Sequence, residues 1–151
     1  MTRHSDRSAA FTVLMADDDP DDRFLAREAL DEAQVNTDLH FVNDGNALLD
    51  YLHRRGEYEG DEAAPRPCLI LLDLNMPKMD GREALRQIKA DPALRRIPIV
   101  ILTTSSLEDD VRRCYDLGAN AYVTKPMSFD GLVEVMRTLD AFWFNVVKLP
   151  V

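Results

Sequence analysis

The run Cys68-Leu69-Ile70-Leu71-Leu72-Asp73-Leu74-Asn75-Met76-Pro77 decides how this chain is read. Apolar residues occupy consecutive positions from Cys68 to Leu72, so both faces of the segment need cover. A central strand of a parallel sheet meets that need. Parallel neighbours require helical crossovers, and helical patterns lie on both sides of the run. Upstream, Phe11 to Ala16 reads as a strand and Pro20 to Gln34 as a helix, with Asp19 as N-cap and Pro20 at the first helical position. Leu39 to Val42 is a short strand and Asn46 to Glu57 a helix. Gly56 to Pro67 is polar, acidic and proline-bearing, a surface loop. Downstream, Arg82 to Ala90 is a helix closed by Asp91-Pro92, and Ile97 to Leu102 is a second buried strand. Glu108 to Leu117 is a helix stopped at Gly118, and Ala121 to Val123 is a short strand. Asp130 to Phe142 is the last helix, with Leu132, Met136, Leu139 and Trp143 along one face. Five βα units predict an α/β fold: a flavodoxin-like three-layer sandwich, its five-stranded parallel sheet in the order 2-1-3-4-5, with five helices.

The chain has 151 residues, 46% apolar and 30% charged, which suits one domain able to bury a core. No apolar run is long enough for a membrane span, and the polar Met1 to Ser8 is no secretory signal. The net charge of −9 repels phosphate backbones, so nucleic acid is not an expected partner. The two cysteines, Cys68 and Cys114, lie in apolar segments without metal-ligand spacing. They read as reduced core thiols, and the cytoplasm is the expected compartment.

Ligands in such sheets bind at the carboxyl ends of the strands, at the switch point between the first and third. The residues just after the strands are therefore the ones to examine. Asp17 and Asp18 follow strand 1, and Asp73 follows strand 3. Two carboxylates about 4 Å apart repel by roughly 4 kcal/mol at an effective dielectric near 20. Three in one crevice call for a hard divalent cation with oxygen ligands, and Mg²⁺ is the usual choice where phosphate also binds. Thr103 follows strand 4 and Lys125 follows strand 5. A phosphoryl group on Asp73 would meet the metal on one side and Thr103 and Lys125 on the other, the positioning and neutralisation that phosphoryl transfer needs.

These segments resemble the receiver domain of two-component response regulators over residues 11–143. The matching motifs are Val13-Leu14-Met15-Ala16-Asp17-Asp18, Leu71-Leu72-Asp73-Leu74-Asn75-Met76-Pro77-Lys78-Met79-Asp80-Gly81, Ile101-Leu102-Thr103-Thr104 and Gly118-Ala119-Asn120-Ala121-Tyr122-Val123-Thr124-Lys125-Pro126. The resemblance implies that Asp73 accepts a phosphoryl group from a sensor histidine kinase. It implies that Asp18 and Asp73 ligate Mg²⁺, with Asp17 acting through a metal-bound water and Asn75 through its backbone carbonyl. Thr103 and Lys125 would bind phosphoryl oxygens, and Tyr122 would swing inward as Thr103 moves. A cis Lys125–Pro126 bond is implied as well. The protein would not be an enzyme beyond its own phosphoryl transfer and dephosphorylation. Residues 1–10 then form an N-terminal extension and residues 144–151 an apolar arm.

Other readings fit less well. Asp19, Asp21 and Asp22 suit the positive start of a helix. Asp17, Asp19, Asp21 and Glu28 mimic a calcium loop, but Asp22 stands where that loop needs glycine and a strand precedes it. Haloacid-dehalogenase phosphatases carry a second aspartate two residues after the first; here that position is Asn75. An inactive receiver-like module is disfavoured by the intact acidic, hydroxyl and lysine set. His4, His40 and His53 share no ligand spacing. The last helix takes up most of the residues after Lys125, so output is expected through protein contact or phosphate relay. The final ten residues include Phe142, Trp143, Phe144, Val146, Val147, Leu149 and Val151. An apolar end marks an interface, and the alternative is a tail folded over its own core. Phe142-Trp143 with Val147, Leu149 and Pro150 is similar to the tail of stand-alone receivers that partner phytochromes. That resemblance implies a homodimer built through the tail and a phytochrome-type kinase.

Overall fold

The computed structural model describes residues 11–60 and 64–144, with side chains up to Trp143. Five strands form one parallel sheet: β1 (Phe11–Ala16), β2 (Thr37–Val42), β3 (Leu69–Leu72), β4 (Ile99–Thr103) and β5 (Ala121–Thr124). Their order is β2-β1-β3-β4-β5, as expected. Five helices connect or follow them: α1 (Pro20–Glu32), α2 (Gly45–His53), α3 (Gly81–Ala90), α4 (Glu108–Asp116) and α5 (Phe129–Leu139). A single π-type turn, Asp140–Phe144, succeeds α5.

The alternation of side chains along each strand divides the core into two layers. Leu14, Ala16, Ile70, Leu72, Ile99 and Ile101 pack beneath α2, α3 and α4 with Leu48, Leu85, Ile88 and Cys114. Val13, Met15, Leu69, Leu71, Val100 and Leu102 face the opposite way, against Ala26, Ala29 and Leu30 of α1 and Val133 and Met136 of α5. β3 and β4 are buried along their whole length, which is why their sequences are apolar without alternation.

Element ends differ from the sequence reading in ways the backbone explains. α1 stops at Glu32, two residues before Gln34, because Gln34 adopts φ +60° and Val35 donates its N–H back to the Leu30 carbonyl. This reversal tucks Val35 into the core. α2 stops at His53 rather than Glu57. Arg54 is left-handed at φ +54°, and a short 3₁₀ turn, Gly56–Tyr58, follows. The expected Asp19 cap is present: its side chain accepts from the Asp21 N–H. α4 ends at Asp116, and Gly118 just beyond it turns the chain with a φ of +108°, which favours glycine. Both cysteines are free, but only Cys114 is buried; Cys68 is half-buried at the start of β3. No helix among the described residues is long and apolar enough to cross a membrane.

Candidate functional site

The site is built at the carboxyl ends of β1, β3, β4 and β5. Strand pairing sets its spacing, because Ala16 lies beside Leu72 and Thr103 beside Thr124. The residues that follow those pairs, Asp17, Asp73 and Lys125, therefore emerge at one level. Two further bonds hold that level: the Asp73 N–H donates to the Ala16 carbonyl at 3.0 Å and the Lys125 N–H to the Thr103 carbonyl at 2.7 Å. Gly81 supports the arrangement from below. A Cβ there would sit 2.4 Å from the Asp73 carbonyl oxygen, so α3 can start this close to the site only with glycine.

Asp73 is buried, and both of its carboxylate oxygens are engaged. Oδ1 accepts from the Thr103 hydroxyl at 2.8 Å and from the Asn75 N–H at 3.3 Å. Oδ2 accepts from the Lys125 ammonium at 3.3 Å. The same ammonium donates to Asp17 Oδ2 at 2.8 Å and to Asp22 Oδ2 at 2.7 Å. Asp17 is fully buried and its Oδ1 accepts the Asp19 N–H at 2.9 Å. Burial pushes the Asp17 carboxyl above the ordinary aspartate range, against the opposing pull of Lys125 and the Asp19 N–H. For Lys125 burial works the other way and favours the neutral amine. The hydrogen bonds it donates to Asp17 and Asp22 and the charges of Asp17 and Asp73 outweigh it, so the ammonium is held above the usual lysine range.

Asp17, Asp18 and Asp73 each offer a carboxylate oxygen, all within 4.8 Å of one another. Two ligands of one Mg²⁺ lie at most about 4.2 Å apart, given Mg–O distances near 2.1 Å. The carboxylates are thus gathered at the scale of one coordination sphere, and an all-oxygen, anionic donor set fits a hard divalent cation.

Two site contacts escaped the sequence reading. Asp22 had the look of a helix-start charge, yet it reaches Lys125. The signal was its place four residues before Ala26 on the inward stripe of α1, where Ala26, Ala29 and Leu30 are buried. An acid at the mouth of a buried stripe is unusual enough to be informative. Arg23 donates to the Asp17 carbonyl at 2.8 Å and to Asn43 Oδ1 at 2.9 Å, and no spacing rule pointed to it.

One expectation needs correction. No peptide bond among the described residues is cis, so Lys125–Pro126 is trans, the ordinary X–Pro preference. Lys125 nonetheless reaches the carboxylates. The side chains of the expected switch pair, Thr103 and Tyr122, are both engaged. The Thr103 hydroxyl already rests on Asp73, and the Tyr122 hydroxyl already donates to the Ser105 carbonyl at 2.8 Å, with its ring against the core.

The β4–α4 loop is fixed from its far side too. Ser105 donates through its hydroxyl to Asp110 Oδ2 at 2.5 Å, and Arg82 donates to Asp110 Oδ1 at 2.8 and 3.1 Å. The Ser105 hydroxyl and the Arg82 guanidinium hold the Asp110 carboxyl below its ordinary range. A depressed carboxyl contributes stability above its unfolded pKa and loses it as pH falls through the folded one. Arg82→Ala is therefore expected to cost about 1 kcal/mol at pH 7 for this partly exposed pair. The difference should fade below the ordinary aspartate range near pH 4. Urea melts of both proteins at pH 7 and pH 3 provide the check; a deficit unchanged in acid contradicts this account.

At the C-terminal end, Trp143 packs against the α1/α5 core layer and meets Phe142 edge to face at 5.2 Å. Phe142 is half exposed. Val147, Leu149 and Pro150 of the expected dimer arm lie outside the described residues.

Known proteins share this chain's sequence and fold. Response regulator Rcp1 of Synechocystis is 44% identical over 138 residues, which are 91% of this chain and 92% of that protein. The crystal structure of the phosphorylated cyanobacterial phytochrome response regulator RcpA superposes with a TM-score of 0.86 at 41% identity, covering 94% of this chain and 99% of RcpA. The Mn²⁺-bound form of Rcp1 gives a TM-score of 0.84 at 42% identity, covering 93% and 99%. The family model described as the response regulator receiver domain matches residues 13–137, a span that runs from β1 into α5 and takes in every strand and the whole acidic crevice, so the chain belongs to the response regulator receiver family.

Proposed function

We propose that this protein is a phosphoacceptor of a two-component phosphorelay, phosphorylated on Asp73 by a sensor histidine kinase. The observation that carries the reading is the double engagement of Asp73: a hydroxyl on one carboxylate oxygen and an ammonium on the other, beside two further carboxylates. An Asp73 oxygen attacks the donor phosphorus, the donor's bond to that phosphorus breaks, and the leaving group keeps the electron pair. The Thr103 hydroxyl and Lys125 ammonium then transfer their hydrogen bonds from carboxylate to phosphoryl oxygens. Asp17, Asp18, Asp73 and the Asn75 carbonyl would hold Mg²⁺, which when bound neutralises charge on the phosphoryl oxygens.

The protein acts as a signalling receiver, not as an enzyme on other substrates. Residues 11–143 form the receiver, 1–10 an extension and 144–151 an apolar arm. Exposed Leu25 and Phe129 line a cavity together with Asp22 and Lys125 and suit the approach of a protein donor. Likeness to RcpA supports a phytochrome-type kinase, and the cytoplasm is the compartment where such a partner is met. Thr103 and Tyr122, both tied to the β4–α4 loop, relay the change at Asp73 to the face formed by α4, β5 and α5. Output follows by protein contact.

Acetyl phosphate tests the central reading. With Mg²⁺ the intact protein should gain the mass of one phosphoryl group, held as a lasting acyl phosphate. In EDTA labelling should fall to background. Full labelling in EDTA, or rapid turnover of the donor without an adduct, rejects it.

A homodimer formed through the tail belongs to the same proposal. The half-exposed Phe142 and the apolar residues after it support this, while Trp143 already spends part of its surface on its own subunit. Light scattering at micromolar concentration should return twice the chain mass for the full protein and the monomer mass for a chain ending at Ala141. A monomeric full-length protein removes the dimer; a dimer that survives truncation removes the tail as its cause.

A further inference from the structure

Lys125 has three N–H donors, and each meets a different carboxylate. Asp22 holds the shortest of the three contacts, 2.7 Å, and Asp73 the longest, 3.3 Å. Asp17 and Asp73 belong to the set that would receive a metal and a phosphoryl group, whereas Asp22 belongs to neither. It stands in the first turn of α1, with its side chain 34% exposed at the mouth of the crevice. An ammonium drawn toward α1 is drawn away from Asp73. The Asp22 charge also faces any anion that arrives there.

We propose that Asp22 is a positioning residue that shares the Lys125 ammonium with the phosphoacceptor and so weakens the site's hold on a phosphoryl anion. This rests on the reading of Asp73 as phosphoacceptor. Two physical effects act in the same direction. The resting contact with Asp22 must be loosened before Lys125 can turn fully to phosphoryl oxygens. A carboxylate a few ångströms from the incoming anion adds repulsion that only partial solvent exposure softens. Asp22 thus sets how readily this receiver is loaded, and replacing it should strengthen binding rather than weaken it.

The test is calorimetric titration with beryllofluoride, a phosphoryl mimic, in saturating Mg²⁺, on the full chain and on Asp22→Asn and Asp22→Glu. A separate Mg²⁺ titration accompanies each, and a thermal melt checks the fold. Asp22→Asn keeps an oxygen acceptor but no charge. It is expected to bind beryllofluoride about fivefold more tightly while binding Mg²⁺ no more tightly, because loss of a nearby negative charge cannot favour a cation. Asp22→Glu should return beryllofluoride affinity toward that of the parent. A purely structural role would move both affinities the same way or neither. Unchanged or weaker beryllofluoride binding by Asp22→Asn overturns the proposal, as does a parallel gain for Mg²⁺. Failure of the unaltered chain to bind beryllofluoride would instead defeat the phosphoacceptor reading itself, and this proposal with it.

Discussion

An Asp73→Asn chain is expected to take up no phosphoryl group from acetyl phosphate, with the adduct falling to background even in Mg²⁺. An amide lacks the anionic oxygen that attacks phosphorus, and the neighbouring acids cannot replace it. Asp17 is fully buried, with one oxygen on the Asp19 N–H and the other on Lys125, so a bulky donor has no line of approach to it. Asp18 is exposed, but the Thr103 hydroxyl and the Lys125 ammonium are aimed at Asp73. The fold should survive. The asparagine oxygen can still accept from Thr103, and one charge leaves a crowded crevice, so stability should change by about 1 kcal/mol or less. Intact-protein mass followed by peptide mapping gives the answer. A full-size adduct on the variant would move the phosphoacceptor elsewhere.

Lys125→Ala is expected to be the most damaging single change at the site in metal-free buffer. It removes the shared cation of Asp17 and Asp73, side chains 0% and 9% exposed. Removing one partner of a buried ion pair leaves an uncompensated charge and costs about 3 kcal/mol or more. For a chain of this size that corresponds to a fall in Tm of roughly 6–12 °C. The pH dependence has a definite sign. The Asp17 carboxyl already lies above its unfolded value because of burial, and loss of Lys125 removes the main influence pulling it down. A raised carboxyl destabilises the folded state at high pH and ceases to do so as pH falls through the folded pKa. The deficit of Lys125→Ala should therefore be greatest near neutral pH and shrink in acid. Added Mg²⁺ should recover part of it, since a cation between the carboxylates replaces the lost charge. Calorimetric melts from pH 8 to pH 4, with EDTA or Mg²⁺, test this; a deficit that grows in acid or ignores Mg²⁺ would contradict it.

Much of the molecule was legible from residue order. Cys68 to Leu72 and Ile97 to Leu102 are apolar at every parity because two layers of helices cover the sheet, and the core divides along those parities. Asp17, Asp18, Asp73, Thr103 and Lys125 could be named because each lies at or just past the end of a strand, and a parallel sheet gathers strand ends at one edge. Helix ends were less legible. Gln34 and Arg54 turn left-handed without a glycine to announce it, and the reward for doing so, burial of Val35 in the first case, lies in tertiary packing.

The sequence by itself thus determined the sheet order, the layers and the identity of the acids, hydroxyl and lysine at the crevice. Periodicity and strand-end position are local properties of the chain. Only the tertiary structure decided who holds whom. Lys125 and Asp22 are 103 residues apart, and Arg82 and Asp110 are 28 apart. The inward stripe of α1 sets Asp22 apart from Asp19, which caps its own turn, but it does not say which residue Asp22 reaches across the crevice. That choice depends on how close α1 lies to the end of β5. In the core layer that Ala26 and Ala29 share with Val133 and Met136, the small side chains on α1 let it settle near enough for a short carboxylate to reach the lysine.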